Sequence, residues 1–180
     1  MTIRQSDLRA EAQMQKSAGA EALLTESVRQ FSAKRSHRRA FLSHSHLDQE
    51  LALGLRSLFA KVGVGLYIDW LDLTMPAATN VETARKIQEA IRQSDYFLYL
   101  VTSNSSKSIW CPWELGYADG MGTLQGKIYV VPTMGEDAVE YGKEYLGLYR
   151  VMDLHCEDNG MKKFAYFSEH DANSRFYFKG

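Results

Sequence analysis

The chain has 180 residues, of which 45% are hydrophobic, 12% aromatic and 24% charged, a balance that fits one globular domain with a short extension and excludes a disordered polymer. With 21 basic and 22 acidic residues the formal net charge is -1, so no global field draws the chain to nucleic acid or to an acidic membrane surface. The longest apolar run, Tyr96–Val101, falls far short of the ~20 residues a bilayer-crossing helix needs, and the polar N-terminus with Asp7 and Glu11 argues against a secretory or organelle leader.

Residues 1–36 are predicted helical, being rich in Ala, Glu, Gln, Leu and Arg, with Leu24, Val28 and Phe31 on one narrow stripe. This N-terminal helical arm, residues 1–37, is expected to pack on the following domain, 38–180, or on a partner. The basic cluster Lys34, Arg35, His37, Arg38 and Arg39 is expected to be a solvated linker rather than a phosphate site. From residue 40 the period changes. Ala40–Ser43 has the pattern of a short buried strand, and Ser45 to Asp48 fits a capping box ahead of a helix that carries Leu51, Leu55, Leu58, Phe59 and Val62 and stops at Gly63. Val64–Trp70 is predicted as a second strand and Leu71–Ala78 as a loop holding Pro76. A second capping box, Thr79 to Glu82, opens a helix with Ala84, Ile87 and Ile91 inward. Tyr96–Val101 is a third strand, Thr102–Ser108 a polar loop, and a helix runs through Glu114, Leu115 and Tyr117. Lys127–Pro132 is a fourth strand, Glu140–Tyr149 a helix candidate and Val151–Leu154 a fifth strand. After Asp158 no pattern stands out.

Strands with continuous apolar runs alternating with helices imply an α/β fold: a five-stranded parallel sheet with helices on both faces. The number of units suggests the flavodoxin-like order 2-1-3-4-5, which puts a crevice at the carboxyl ends of the first and third strands, between Ser43–His46 and Thr102–Trp113.

The dinucleotide fingerprint, the phosphate loop and helical zinc spacing are all absent, so neither a bound cofactor nor a metal is expected. Cys111 and Cys156 have no zinc spacing and no disulfide framework, which suits a reducing cytoplasm, and Cys111 is expected to be a packed thiol. The segment Ser108-Ile109-Trp110-Cys111-Pro112-Trp113-Glu114 is richer. Pro112 suits a first helical turn. Glu114 is expected in that same turn, its ionised form favoured by free N–H groups and the helix dipole, with an indole on either side. The plain alternative is a helix-start carboxylate beside two core tryptophans; position at the predicted crevice favours function. A carboxylate among aromatic faces suits cleavage of an N-glycosidic bond, because the transition state carries positive charge on the sugar. If the leaving group is a pyridinium it departs neutral and needs no general acid.

Four segments together, Phe41-Leu42-Ser43-His44-Ser45 with Asp48, then Tyr67-Ile68-Asp69, then Ser94-Asp95-Tyr96-Phe97-Leu98, then Trp110-Cys111-Pro112-Trp113-Glu114-Leu115-Gly116, resemble the Toll/interleukin-1 receptor (TIR) domain, most closely its bacterial members. The resemblance spans roughly residues 38–155 by element order. It implies a flavodoxin-like fold and, for many members, cleavage of NAD to nicotinamide and ADP-ribose or a cyclised isomer. On this resemblance Glu114 is catalytic, Trp110 and Trp113 line the pocket, Ser43, His44 and Ser45 border the substrate, and Asp69 lies near the ribose. NAD+ is then substrate, not cofactor. The resemblance further implies a homo-oligomer through TIR–TIR contacts and a cyclic ADP-ribose-type signal sensed by a downstream effector protein in bacterial antiphage immunity. One departure stands in the loop after the second strand, where the family usually carries Pro-Gly or a comparable glycine and this chain has Leu73-Thr74-Met75-Pro76-Ala77-Ala78. Two other readings remain: a non-catalytic interaction module, and a nucleoside deoxyribosyltransferase-like enzyme.

Overall fold

The computed structural model describes residues 3–17, 38–76, 80–135, 144–156, 162–168 and 171–177, with the backbone alone from Asp153 onward. Of residues 1–37, those described form β1 (Ile3–Arg4) and α1 (Gln5–Ser17). Then come β2 (Arg38–Ser43), α2 (Gln49–Ala60), β3 (Val64–Tyr67), α3 (Val81–Arg92), β4 (Tyr96–Val101), α4 (Trp110–Asp119), β5 (Ile128–Met134) and β6 (Arg150–Cys156). The strands β7 (Lys162–Ser168) and β8 (Asp171–Tyr177) finish the chain.

The sheet order is β3-β2-β4-β5-β6-β7-β8. The first five are parallel, so the flavodoxin-like order 2-1-3-4-5 is present in β2 to β6. β7 and β8 extend the sheet antiparallel, and β1 pairs with the end of β5, Ile3 opposite Thr133. These three strands lie beyond the five that the sequence pattern predicts.

Alternation along each strand sorts the apolar side chains into two cores. Ala40, Leu42, Leu98, Leu100, Tyr129 and Val131 face one side, under Leu51, Leu55, Leu58 and Phe59 of α2 and Leu8 of α1. Phe41, Phe97, Tyr99, Val101, Ile128 and Val130 face the other, under Ile87 and Ile91 of α3 and Cys111, Leu115 and Ala118 of α4. Phe41 stacks on Phe97 and on Tyr67, with ring centroids 5.6 and 5.7 Å apart, which adds about 1 kcal/mol per pair beyond burial. The arm packs tightly: a Cβ on Gly54 would lie 2.0 Å from the Leu8 carbonyl oxygen, so α1 and α2 cross with backbones in contact. Leu24, Val28 and Phe31 of the predicted stripe, and the cluster members Lys34, Arg35 and His37, lie outside the described residues. Arg38 and Arg39 belong to β2; Arg38 sits over the Tyr96 ring and Arg39 N–H donates to Asp95.

Several local expectations change. Ser45 does cap, accepting the Leu47 N–H, but the residues after it form a 3-10 turn (His46–Asp48), and Asp48 does not reach back. The second capping box is shifted by one residue, pairing Asn80 with Thr83; Thr79 lies outside the described residues. Strand β3 ends at Tyr67, because β2 offers it partners only from Arg38 to Phe41, and Asp69–Leu71 turns as a 3-10 helix. Gly63, with φ +78°, ends the turn after α2. The helix candidate Glu140–Tyr149 is a 3-10 segment at Glu144–Leu148, with 136–143 outside the described residues. Among the described residues no helix is long and apolar enough to cross a membrane.

Candidate active site

The chain leaves β2 for β3 on one side of the sheet and returns to β4 on the other. The crossovers after β2 and β4 therefore lie on opposite faces of the sheet, and the carboxyl ends of these two strands form the topological switch point. Ser43, the last residue of β2, is fully buried there. Its hydroxyl donates to Glu114 Oε2 at 2.6 Å, joining the end of β2 to α4.

The helix that carries Glu114 begins at Trp110, and the Ser108 hydroxyl accepts the N–H groups of Trp110 and Cys111 at 3.2 and 3.3 Å. Glu114 thus lies in the second turn, beyond the reach of the free N–H groups, and is only 5% exposed. Burial pushes its carboxyl up to about 8; the Ser43 hydroxyl pulls it back, and the negative charge of Asp69 raises it further. The expectation that its ionised form is favoured does not hold: desolvation outweighs the dipole, and the carboxyl keeps its proton at neutral pH. Beside it the Cys111 thiol is buried and pushed up to about 11, first by burial and then by Glu114, so it is no nucleophile at neutral pH.

His44 does not project freely into the crevice. Its Nδ1 lies 2.9 Å from the Leu42 carbonyl oxygen, and its Nε2 accepts the indole N–H of Trp70 at 3.0 Å. An indole can only donate and a carbonyl only accept, so the two partners put the proton on Nδ1. The Asp69 carboxylate, 3.8 Å from Nε2, then faces a lone pair rather than a cation, and the contact is no ion pair in this tautomer. Asp69 itself is partly exposed, at the start of the 3-10 turn after β3. Ser45 is buried in its own cap.

Trp110 stands one turn before Glu114 and so shares its face of α4. Trp113 is 38% exposed, edge-on to Trp110 (5.2 Å, 84°) and stacked on Tyr117 (6.2 Å, 19°). The fold therefore brings Ser43 and Glu114 together, with Trp110 one turn earlier on the same helix. His44 meets Asp69 and Trp70, and Trp113 is partly exposed on α4. Trp70 is a member that the sequence did not single out; it directly follows Asp69. Among the described residues no group of three His, Cys, Asp or Glu side chains could hold a metal ion. A buried carboxyl held by a hydroxyl beside an indole can accept from ribose hydroxyls and, once ionised, oppose a cation on the sugar.

The model of the TIR domain family matches residues 40–165. The chain is 36% identical over 113 residues to the "Probable 3' cyclic ADP-D-ribose synthase ThsB'" of Bacillus cereus (strain MSX-D12), an alignment covering 61% of this chain and 57% of that protein. It is 28% identical over 85 residues to the "Putative cyclic ADP-D-ribose synthase TIR2" of Cytobacillus dafuensis, covering 46% of this chain and 22% of that protein. The chain thus spans little more than half of the first relative and under a quarter of the second. With the ordered sheet, the four motif segments and a family match across most of its length, this chain belongs to the TIR domain family.

Proposed function

We propose that this TIR protein cleaves the nicotinamide–ribose bond of NAD+ and releases an ADP-ribose-type product, including a cyclic isomer. The observation that carries this reading is Glu114, a carboxyl buried at the switch point with a hydroxyl and, among the described residues, no cation to hold it. The names of the two relatives support the same chemistry.

Burial keeps the Glu114 carboxyl protonated at neutral pH. A pyridinium entering this low-dielectric site favours the ionised form, and the proton leaves to solvent. The C1′–N1 bond then breaks with both electrons going to the ring nitrogen, and nicotinamide departs uncharged. The carboxylate faces the cationic ribose and accepts its hydroxyls, while Ser43 holds the other carboxylate oxygen. Capture of C1′ by water gives ADP-ribose and a proton; capture by one of the substrate's own hydroxyls gives a cyclic isomer and a proton. Trp110 supplies the aromatic face, and Asp69 lies on the side that receives the ribose. A cyclic product suits a diffusible signal read by a separate effector protein in antiphage immunity.

Self-association belongs to the same proposal. Leu47 and Ile109 are exposed in the loops after β2 and β4, and Leu73 stands 95% exposed after β3. Asp72 fixes that loop by accepting from Tyr67 and Thr74. Such side chains at the mouth suit contact with a second copy, and they equally suit a purely interacting TIR module. The deciding experiment is mass analysis of products after incubation with NAD+, with Glu114→Gln as control. Nicotinamide release that depends on Glu114 is expected. No release at any protein concentration favours the interaction module, and base exchange on a nucleoside without NAD+ cleavage favours the transferase.

A further inference from the structure

Asp48 directly precedes α2, where a carboxylate ordinarily accepts from the free N–H groups of its own helix. It makes no such bond. Its buried side chain instead crosses to the loop after β4, where Oδ2 accepts the Thr102 hydroxyl at 2.5 Å and Oδ1 accepts the Asn104 amide at 2.7 Å. Thr102 Oγ1 in turn accepts the N–H groups of Asn104 and Ser105 at 3.1 and 2.9 Å, and Ser105 Oγ accepts the Thr102 N–H at 2.9 Å. The Ser108 N–H donates to the Ser105 carbonyl at 3.1 Å, and the Ser108 hydroxyl accepts the first N–H groups of α4. A continuous run of hydrogen bonds thus links the segment just beyond Ser43 to the helix that carries Glu114.

We propose that Asp48 is a positioning residue, clamping the loop after β4 to the end of β2 and so fixing how deeply Glu114 is seated against Ser43. Its catalytic consequence rests on the NAD+-cleaving reading; its effect on Glu114 does not. The choice of side chain is informative. A carboxylate accepts from a hydroxyl and an amide at once, whereas an amide in its place keeps both contacts only if the Asn104 amide turns over, and the charge-assisted bonds are lost either way. The clamp is weakened. Exchanging the two residues restores a carboxylate–amide pair with its direction reversed.

The test uses the full chain in four forms: wild type, Asp48→Asn, Asn104→Ala, and Asp48→Asn with Asn104→Asp. The first readout is the titration of Glu114 by carbon-13 NMR of labelled carboxyls, assigned with Glu114→Gln. The second is kcat and KM for NAD+. Opening the clamp admits water to the carboxyl, so both single variants are expected to lower its midpoint by ~1 pH unit. They are also expected to cut kcat ~10-fold with KM changed less than ~3-fold, and the exchanged pair to recover both quantities. A midpoint and kcat that stay at wild-type values while only thermal stability falls would overturn the proposal, as would an exchanged pair no better than Asp48→Asn. If wild type releases no nicotinamide, the reaction reading falls while the titration still judges the clamp. If Asp48→Asn does not fold, Asn104→Ala decides alone, since it removes a single bond from a half-buried residue.

Discussion

Glu11 and Glu114 are buried to nearly the same depth, 4% and 5% exposed, and each accepts a serine hydroxyl at 2.6 Å, from Ser57 and Ser43 respectively. They differ in what else arrives. Glu11, on α1, also accepts the Lys61 ammonium at 2.5 Å, so its charge is compensated where the arm meets α2. Among the described residues no cation pairs with Glu114, and Asp69, whose charge acts on it, has the same sign. Burying a carboxyl without a counterion is unfavourable for folding, and a fold that does so at one position while pairing the other has placed that cost at its switch point. On the proposed reading, a cationic substrate would supply the pairing partner that the described residues do not.

The contrast is most sharply broken by Glu114→Gln. Nicotinamide release is expected to fall at least ~1,000-fold while the folded state becomes no less stable. A variant keeping a tenth of its activity would remove Glu114 from the chemistry. The sign of the pH effect comes from the raised carboxyl. In the folded chain it binds its proton up to about 8, above its ordinary value of 4.5, so its stabilising contribution is complete below 4.5 and disappears as pH rises through about 8. The melting temperature of Glu114→Gln minus that of wild type is therefore expected to grow between pH 5 and pH 9, and kcat/KM of wild type to climb over the same interval towards a plateau above about 8. A flat difference in melting temperature would mean that the carboxyl is already ionised and solvated.

Ser43→Ala is expected to lower kcat ~10- to 100-fold and to move the rise of kcat/KM to higher pH, since the hydroxyl it removes favours the ionised form. A midpoint moving down would mean that water replaces the hydroxyl. Glu11→Gln, the matching change at the paired carboxyl, is expected to lower stability by about 1 kcal/mol in a denaturant titration and leave NAD+ turnover within ~2-fold. The smallest expected effect belongs to Trp70→Phe, which removes the indole donor from His44 Nε2. A loss of ~2- to 5-fold in kcat/KM would mark a side chain that holds the far wall of the mouth.

The parallel sheet was legible in the sequence because β2, β4 and β5 are buried on both faces, and unbroken apolar runs of strand length suit that environment and few others. Element order then located the switch point, and the motif segments put Glu114 there. Other features depend on contacts that no local pattern encodes. Asp48 sits in a capping-box pattern, yet the hydroxyl and amide that claim its carboxylate come from 54 and 56 residues away. The ionisation of Glu114 is hidden for a similar reason: proximity to a helix start can be inferred from sequence, whereas complete desolvation depends on everything packed above it. β7 and β8 escape notice because Lys162–Ser168 and Asp171–Tyr177 mix charged, polar and aromatic residues without a clean alternation. β1 does so because two residues carry no period at all.

The pairing of β1 with β5 bears on how the chain comes together during synthesis. The Gln5 amide donates to the Thr133 hydroxyl across 128 residues of sequence, so this stretch binds a strand made long after it. Because closing so long a loop gains little until its far end is in place, the arm docks late, onto a sheet whose central strands have already assembled. A substitution that weakens the Gln5–Thr133 bond would burden that final step rather than the formation of the sheet.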